Sequence, residues 1–477
     1  MLPVVASFLG FLILFAVIGT LSIRRKKAAV DDYLLASRSV HPWLAGLSSV
    51  VTNNSGYMFI GLIGFTYSEG LSAVWLMVGW ITGDIVAWYT VHPRLRAASE
   101  TSSAETVGAL IAEPYGRGAR LVAMVLGGVT IVFLATYAAA QLNAGSKALH
   151  VMFGWDVGIG AVLGAGIVLL YSYAGGIRAS IWTDAAQSVV MMISMLSLAG
   201  LCLYATGGLG GLFDGLRAID PSLVDPIPAD LQFGFALYLM GWIFAGFGAV
   251  GQPHILIRTM ALSEARLIRV ARQVYFAWYL PFAVAAVLVA LAARVIMPET
   301  GDFDPELALP TLATELMPGV FVGLVLAGVF AATISTADSQ LLTCAAAFTQ
   351  DIMPDTGQTY WQVKLGTAGT TVLVLIVVAF APANVFELVI VSWSALGAGI
   401  GPLMMVRLYG RTPPVGVALA MIFAGLGVSI LWGLALGWTD DLYELLPAML
   451  AGGAVYALWR LWAALTPPRA AATGGDD

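Results

Sequence analysis

The run VTNNSGYMFIG, Val51 to Gly61, decides how this chain is read. It lies inside a stretch apolar enough to cross a bilayer, yet Thr52, Asn53, Asn54 and Ser55 stand in a row ahead of Gly56. Asn and Ser offer the backbone side-chain alternatives to helical hydrogen bonds, and Gly weakens a helix interior. In hydrocarbon no water replaces a lost backbone bond, so irregular chain persists only where protein covers it or where it lines a cavity. The run predicts a helix broken near Asn53–Gly56, whose freed carbonyls can ligate a cation and whose freed N–H groups can receive a carboxylate. The competing account is that the polar side chains bond to neighbouring helices in an unbroken span. The run alone does not choose.

The rest of the chain supplies the setting. Hydrophobic residues make up 59% and charged residues 10% of the 477, with a mean hydropathy of +0.88. A soluble domain has about 45–50% apolar and about 25% charged residues. Many stretches approach the ~20 apolar residues that span a bilayer, and the roughly ten-residue alternating segments of a membrane β-barrel are missing. The fold class is therefore all-α and polytopic. The first apolar stretch precedes Arg24, Arg25, Lys26 and Lys27, the reverse of a secretory signal, and is expected to remain as a helix. Cys202 and Cys344 fall in apolar segments and read as small buried hydrophobes.

Thirteen helices are predicted, near 3–23, 43–68, 71–91, 119–148, 155–174, 180–205, 232–256, 269–296, 318–347, 363–381, 384–406, 414–437 and 442–464. With the N-terminus outside, the odd count puts the C-terminus inside. The positive-inside rule tests this arrangement. It leaves only Lys147, Arg217 and Arg294 of the 22 Lys and Arg towards the outside; Arg258 and Arg178, for example, fall to inner segments. The outer loops are acidic, with Asp214, Asp220, Asp225 and Asp230, then Glu299, Asp302, Asp304 and Glu306, then Asp440, Asp441 and Glu444. Such charges solvate loops, or set up a weak cation-attracting field. The segment 465–477 reads as a disordered inner tail on a single domain spanning 1–477.

Two further segments carry chemistry. GWIFAGFGAVGQPHILIR, residues 241–258, puts four glycines and the pair Gln252–Pro253 inside the seventh predicted helix. Proline removes a backbone donor and crowds the preceding turn. This helix stands five after the one holding VTNNSGY, and paired interruptions in corresponding helices point to two repeats. Five being odd, the second repeat runs inverted. AATISTADSQLL, residues 331–342, offers Thr333, Ser335 and Thr336 hydroxyls in the ninth helix. Hydroxyls and carbonyls suit an alkali cation, a divalent one needing more charge; Ser and Thr also simply bond back to their own turn. No enzyme constellation competes. His41, His92, His150 and His254 are scattered, and neither HExxH nor GxxxxGK[ST] occurs.

LSSVVTNNSGYMFIG, Tyr137 in ATYAAAQLNAGSKAL, YSYAGGIRASIWTDAAQ, GQPHILIR and AATISTADSQLL together resemble the sodium:solute symporter family, most closely its sodium/proline branch. The resemblance covers the whole chain in motif order. It implies a LeuT-type core of inverted five-helix repeats, 43–205 and 232–406, preceded by the helix 3–23 and followed by two peripheral helices within 414–464. It implies a sodium site at the carbonyls of Val51, Asn54 and Ala332 and the hydroxyls of Ser335 and Thr336. The solute would lie at Ser55, Gly56, Tyr57, Gln252 and Pro253 with Tyr137 opposite. Asp184, in the TD..Q motif beside Gln187, would assist sodium release, although it could equally cap its helix. Asp338 could pair with an inner arginine.

Two departures from the proline branch stand out. Asn53 occupies the place of its aspartate, keeping an oxygen but no charge. Ala245 and Ala249 replace a tryptophan and a tyrosine ahead of GQPH, which should widen the pocket unless Phe247 or Trp242 fills it. The expected function is sodium-coupled import of a small organic solute, an amino acid such as proline, across the inner (plasma) membrane. The alternatives are a carboxylate or another solute, or a solute sensor with little net flux. Expected partners are the solute, sodium as coupling ion and the lipid bilayer, with no other cofactor, no nucleic acid and no obligate protein partner.

Overall fold

A computed structural model describes residues 2–23, 29–298, 303–353, 360–382 and 384–466. The basic run 24–27, Glu299, Asp302, Arg469 and residues 467–477 of the expected tail lie outside the described residues. Among those described, all regular structure is helical, save one isolated parallel bridge between Val40 and Leu262.

Each predicted helix has a helical counterpart. Several differ from the expectation in instructive ways. The stretch 43–68 is divided into Pro42–Asn53, Gly56–Phe59 and Gly61–Glu69, and 232–256 into Phe235–Phe247, the tight turn Gly248–Gly251, and Pro253–Met260. The helices expected at 155–174 and 180–205 are joined as Val157–Ala205, bent at Gly176. There φ of 59° and ψ of −157° turn the chain within one residue, a conformation open to glycine. The remaining spans are Leu2–Ile23, Val74–Thr90, Ala119–Phe153, Ile268–Ile296, Gly319–Ala346, Tyr360–Phe380, Val385–Leu408, Val415–Ile430 and Leu445–Leu465. Among the described residues, ten helices are long and apolar enough to cross a membrane, or eleven if the pair Phe235–Gly251 and Pro253–Met260, bent by 56°, is one span.

Gly319–Ala346 is the central helix, its apolar window 89% buried. The periphery faces outward with side chains such as Leu170, Tyr204, Phe380 and Leu465 exposed, the pattern of a bundle solvated by lipid. Close helix approach in lipid depends on small residues. A Cβ on Gly83 of Val74–Thr90 would lie 1.8 Å from the Ile243 carbonyl oxygen, and one on Gly246 would lie 1.8 Å from that of Trp80. These reciprocal glycines bring Val74–Thr90 against the first half of the second broken span. At one end of the bundle, Val40 N–H donates to Ala261 O at 3.1 Å, and Ser263 N–H donates to Val40 O at 3.1 Å. The start of the first broken span is thereby tied to the end of the second.

Candidate cation and solute site

The first break is two residues long. Asn54 (φ −90°, ψ 60°) closes Pro42–Asn53, its backbone N–H and side-chain amide both donating to Val50 O, at 2.8 and 3.0 Å. Ser55, extended at ψ −167°, caps the restarted helix by accepting from Tyr57 N–H at 3.2 Å. Gly56 N–H donates to Gln141 Oε1 at 2.9 Å. Side chains thus take the donors that would have bonded Thr52 and Asn53, and those carbonyls leave the helical ladder. Gly56 is required by proximity, since a Cβ there would sit 2.5 Å from Thr333 Cγ2.

The second break follows the turn Gly248–Gly251. Gln252 is extended (φ −103°, ψ 91°), and Pro253 opens the next helix at the position where its missing N–H costs nothing. Gln252 Nε2 donates to Trp393 O at 2.9 Å, while its Oε1 is buried without a donor.

Thr336 Oγ1 donates to Thr52 O at 3.3 Å, which joins the central helix to the first break. Ser335 Oγ donates to Ala332 O at 3.1 Å, within its own turn. Val51, Asn54, Ala332, Ser335 and Thr336 are all buried. Tyr137 Oη lies 3.4 Å from Ser55 Oγ. Its ring meets His254 and Trp393, and Trp393 in turn meets Trp80, whose ring packs on Tyr57. Ser55, Gly56, Tyr57, Tyr137 and Gln252 thus share one buried region between the two breaks. Phe247 is not brought into it. That ring is half-buried and packs on Phe244.

Asp184 and Arg258 are both fully buried, with Arg258 Nη2 3.2 Å from Asp184 Oδ2. Arg258 Nε donates to Ser48 Oγ at 2.8 Å, and Ser48 Oγ donates to Asp184 Oδ2 at 2.5 Å. The same guanidinium donates to Ser339 Oγ and to His254 O. Asp338 is buried close enough to interact electrostatically with Asp184 and Arg258. Both broken spans, the central helix and Val157–Ala205 therefore meet at one charge pair. The expectation that Arg258 lies in an inner segment is corrected: it lies within Pro253–Met260, beyond solvent, because Asp184 and four polar partners, Ser48, Ser180, Ser339 and the His254 carbonyl, replace its water. Pro253, Arg258, Ser180 and Ser339 line a cavity with Tyr33 and Glu105. Burial, then the neighbouring Asp31, holds the Glu105 carboxyl above its ordinary range.

The sodium:solute symporter family model matches residues 33–424. The chain belongs to that family. The symporter is 28% identical over 437 residues to the high-affinity proline transporter PutP of Bacillus subtilis, covering 90% of this chain and 91% of that one. It is 29% identical over 462 residues to the sodium/proline symporter of Staphylococcus aureus, covering 92% and 88%. Among solved structures, it resembles a substrate-bound, outward-open Na+-coupled sialic acid symporter with a TM-score of 0.77, at 16% identity and covering 96% and 98% of the two chains. It also resembles Mhp1, a nucleobase-cation-symport-1 family transporter, with a TM-score of 0.56 at 17% identity, covering 91% and 95%. The fold is that of the LeuT-type symporters, and the protein is a multi-pass transporter of the inner (plasma) membrane, not an enzyme.

Three residues of the symporter's central region escape a reading of sequence. Trp393 takes the space beside Ala245, its Nε1 donating to the Ala245 carbonyl at 2.7 Å. Trp80 extends that aromatic wall. Trp242 joins this wall by stacking on Trp80, and on Tyr443 beyond it, whereas Phe247 does not. The third, Asp84, is a buried carboxylate bonded to Tyr275 and Asn53. The signal for it was a lone acid in the otherwise apolar VWLMVGWITGDIVAWYT. No cluster of three or more His, Cys, Asp or Glu able to hold a metal ion is found among the described residues.

Proposed function

We propose that this symporter imports a small amino acid such as proline, driven by sodium moving down its electrochemical gradient. The observation that carries the reading is the hydrogen bond between Thr336 Oγ1 and Thr52 O at the break, with Ser335 one residue away. Carbonyls released from a helix, together with paired hydroxyls, make a neutral oxygen site matched to Na+. In this reading Val51, Asn54, Ala332, Ser335 and Thr336 hold sodium. Ser55, Gly56, Tyr57, Tyr137, Gln252 and Pro253 contact the solute, with Trp393 closing the wall. Asp184, with Arg258 and Asp338, governs sodium release. Asn53 links the sodium site to the rest of the span.

The two repeats, 43–205 and 232–406, move against one another, with thirteen crossings, the N-terminus outside and the C-terminus inside. Thr336 donates to the break from the second repeat, so sodium there would fasten one repeat to the other. Its departure would free them. Sodium entering down a potential of ~100 mV supplies about 2.3 kcal/mol per charge, enough for nearly two decades of solute gradient at ~1.4 kcal/mol each. The proline assignment draws on the named relatives. The test is uptake into proteoliposomes across a panel of labelled amino acids and small carboxylates, with and without a sodium gradient. Sodium-dependent accumulation of proline is expected; accumulation of a carboxylate alone would replace the solute, and solute binding without accumulation would favour a sensor.

A further inference from the structure

Asp84 sits where both broken spans converge. Its helix meets Phe235–Phe247 so closely that a Cβ on Gly246 would lie 2.9 Å from the Asp84 nitrogen. On its other side, Asp84 Oδ2 accepts from Tyr275 Oη at 2.5 Å and from Asn53 Nδ2 at 3.3 Å. Asn53 also donates to Tyr275 Oη. Asn53 is the last residue before the first break.

The carboxylate is 1% exposed. Asp84 Oδ1 is buried without a donor, and so is Asn53 Oδ1. Of the cations on the neighbouring elements, Arg269 is exposed, Arg294 lies over the Tyr67 ring, and the others are engaged elsewhere. Arg96 donates to the Leu262 and Ser263 carbonyls, Arg258 pairs with Asp184, and Arg272 lies over the Tyr89 ring. The titratable groups near Asp84 are the phenols of Tyr275 and Tyr279, with His92 about two turns further along the chain, held by Thr259. By contrast Asp184 has Arg258, and Glu306 has Lys147.

An ionised carboxylate buried at membrane depth without a counter-charge is costly, and one positive charge taken up at its free oxygen removes that cost. We infer that Asp84, with Asn53, binds a monovalent cation, Na+ or a proton, as a second coupling charge beside the first broken span. The inference rests on the symport reading above but concerns a different site from Ser335 and Thr336. Charge uptake at Asp84 acts directly on Asn53, and hence on the hinge. The two cations share one chemistry here and differ in what competes with them.

The test is binding of radioactive sodium to the purified full-length protein in nanodiscs, without solute, between about pH 5.5 and 8.5. Asp84→Asn keeps an oxygen for Tyr275 and Asn53 to donate to, but removes the charge. If the cation is sodium, Asp84→Asn weakens sodium binding about tenfold or more at the alkaline end. If it is a proton, the variant loses the pH dependence of sodium binding instead. In either case the double variant Asn53→Asp with Asp84→Asn, which moves the carboxylate across a 3.3 Å contact, recovers wild-type behaviour to within about threefold. Wild-type affinity and pH profile in Asp84→Asn would overturn the inference. So would a loss that the double variant fails to recover, since the effect would then be structural. Should Asp84→Asn not fold, Asp84→Ser, which also removes the charge, substitutes for it, and an unchanged sodium affinity and pH profile in that variant overturns the inference too. Ser335→Ala with Thr336→Ala separates the two readings. If it alone weakens sodium binding, only the Asp84 site falls; if it too binds like wild type, the symport site falls.

Discussion

Arg258 and Asp184 form an ion pair in which neither side chain touches solvent, its atoms 3.2 Å apart. Removing one partner of a buried pair strands the other charge, at a cost of about 3–5 kcal/mol, whereas replacing both with neutral groups costs far less. Arg258→Met and Asp184→Asn should each lower thermal stability in detergent markedly, and the double variant should be more stable than either single one. Stability losses that simply add in the double variant would show that the two charges are not coupled. Arg258→Lys should recover only part of the loss, because one ammonium cannot serve Ser48, Ser339 and Asp184 in the fixed geometry of a guanidinium.

Ser335→Ala with Thr336→Ala removes both hydroxyls proposed to hold sodium, and with them the Thr336–Thr52 bond. A hydrogen bond or ligand to a charged group contributes about 1.5–3 kcal/mol. The sodium concentration for half-maximal uptake should therefore rise on the order of tenfold or more. Sodium titration of uptake reads this directly, and the wild-type sodium dependence in the double variant would rule the assignment out.

The positions of both breaks could be read from the chain because backbone disruption is written locally. Asn54 and Ser55 cap the two helix ends with their own side chains, and Gln252–Pro253 stops one helix and starts another within two residues. Helix order and span lengths follow from the same short-range information. Charge neutralisation is a different matter. Ser48 and Asp184 are 136 positions apart and Arg258 lies 74 beyond Asp184, so an arginine near a helix end looks like any inner-loop cation until its partners are folded around it. Asp84 was obscured for the same reason, its partners Asn53 and Tyr275 lying 31 and 191 residues away. Trp393 has no such signal, because an aromatic residue in a membrane helix carries no local mark of the cavity it faces.

Tyr137→Phe deletes the hydroxyl 3.4 Å from Ser55 Oγ but keeps the ring against His254 and Trp393. Packing is conserved while one polar contact with the solute region is lost. A neutral hydrogen bond has a net value of about 0.5–1.5 kcal/mol, which corresponds to a rise in apparent solute KM of about two- to tenfold. Sodium affinity should stay near wild type, since Tyr137 makes no contact with Ser335 or Thr336 in the bonds described above. Uptake measured as a function of solute at saturating sodium separates the two constants; an unchanged KM would remove Tyr137 from the solute site.

Gly176→Ala tests the bend that turns Val157–Ala205 towards Asp184. The residue sits at φ 59° and ψ −157°, and an added Cβ would lie 2.5 Å from Tyr33 O and 2.6 Å from Tyr33 Cδ2. Tyr33 cannot easily yield, because its hydroxyl lies 3.3 Å from Thr367 Oγ1 and the neighbouring Asp32 is paired with Arg178. Backbone strain of this kind costs about 1–3 kcal/mol before the clash is counted. Gly200→Ala, on the same helix with nothing within 4 Å of its Cβ, should instead be neutral or stabilise by about 0.5–1 kcal/mol, as alanine does in a helix interior. Thermal unfolding of the two variants side by side distinguishes a required bend from a tolerated glycine. Because the helix beyond the bend carries Asp184, Gly176→Ala should also slow transport at saturating sodium and solute, while Gly200→Ala should leave the rate unchanged. A Gly176→Ala protein as stable and as fast as wild type would mean that the helix can straighten without displacing Asp184 from Arg258.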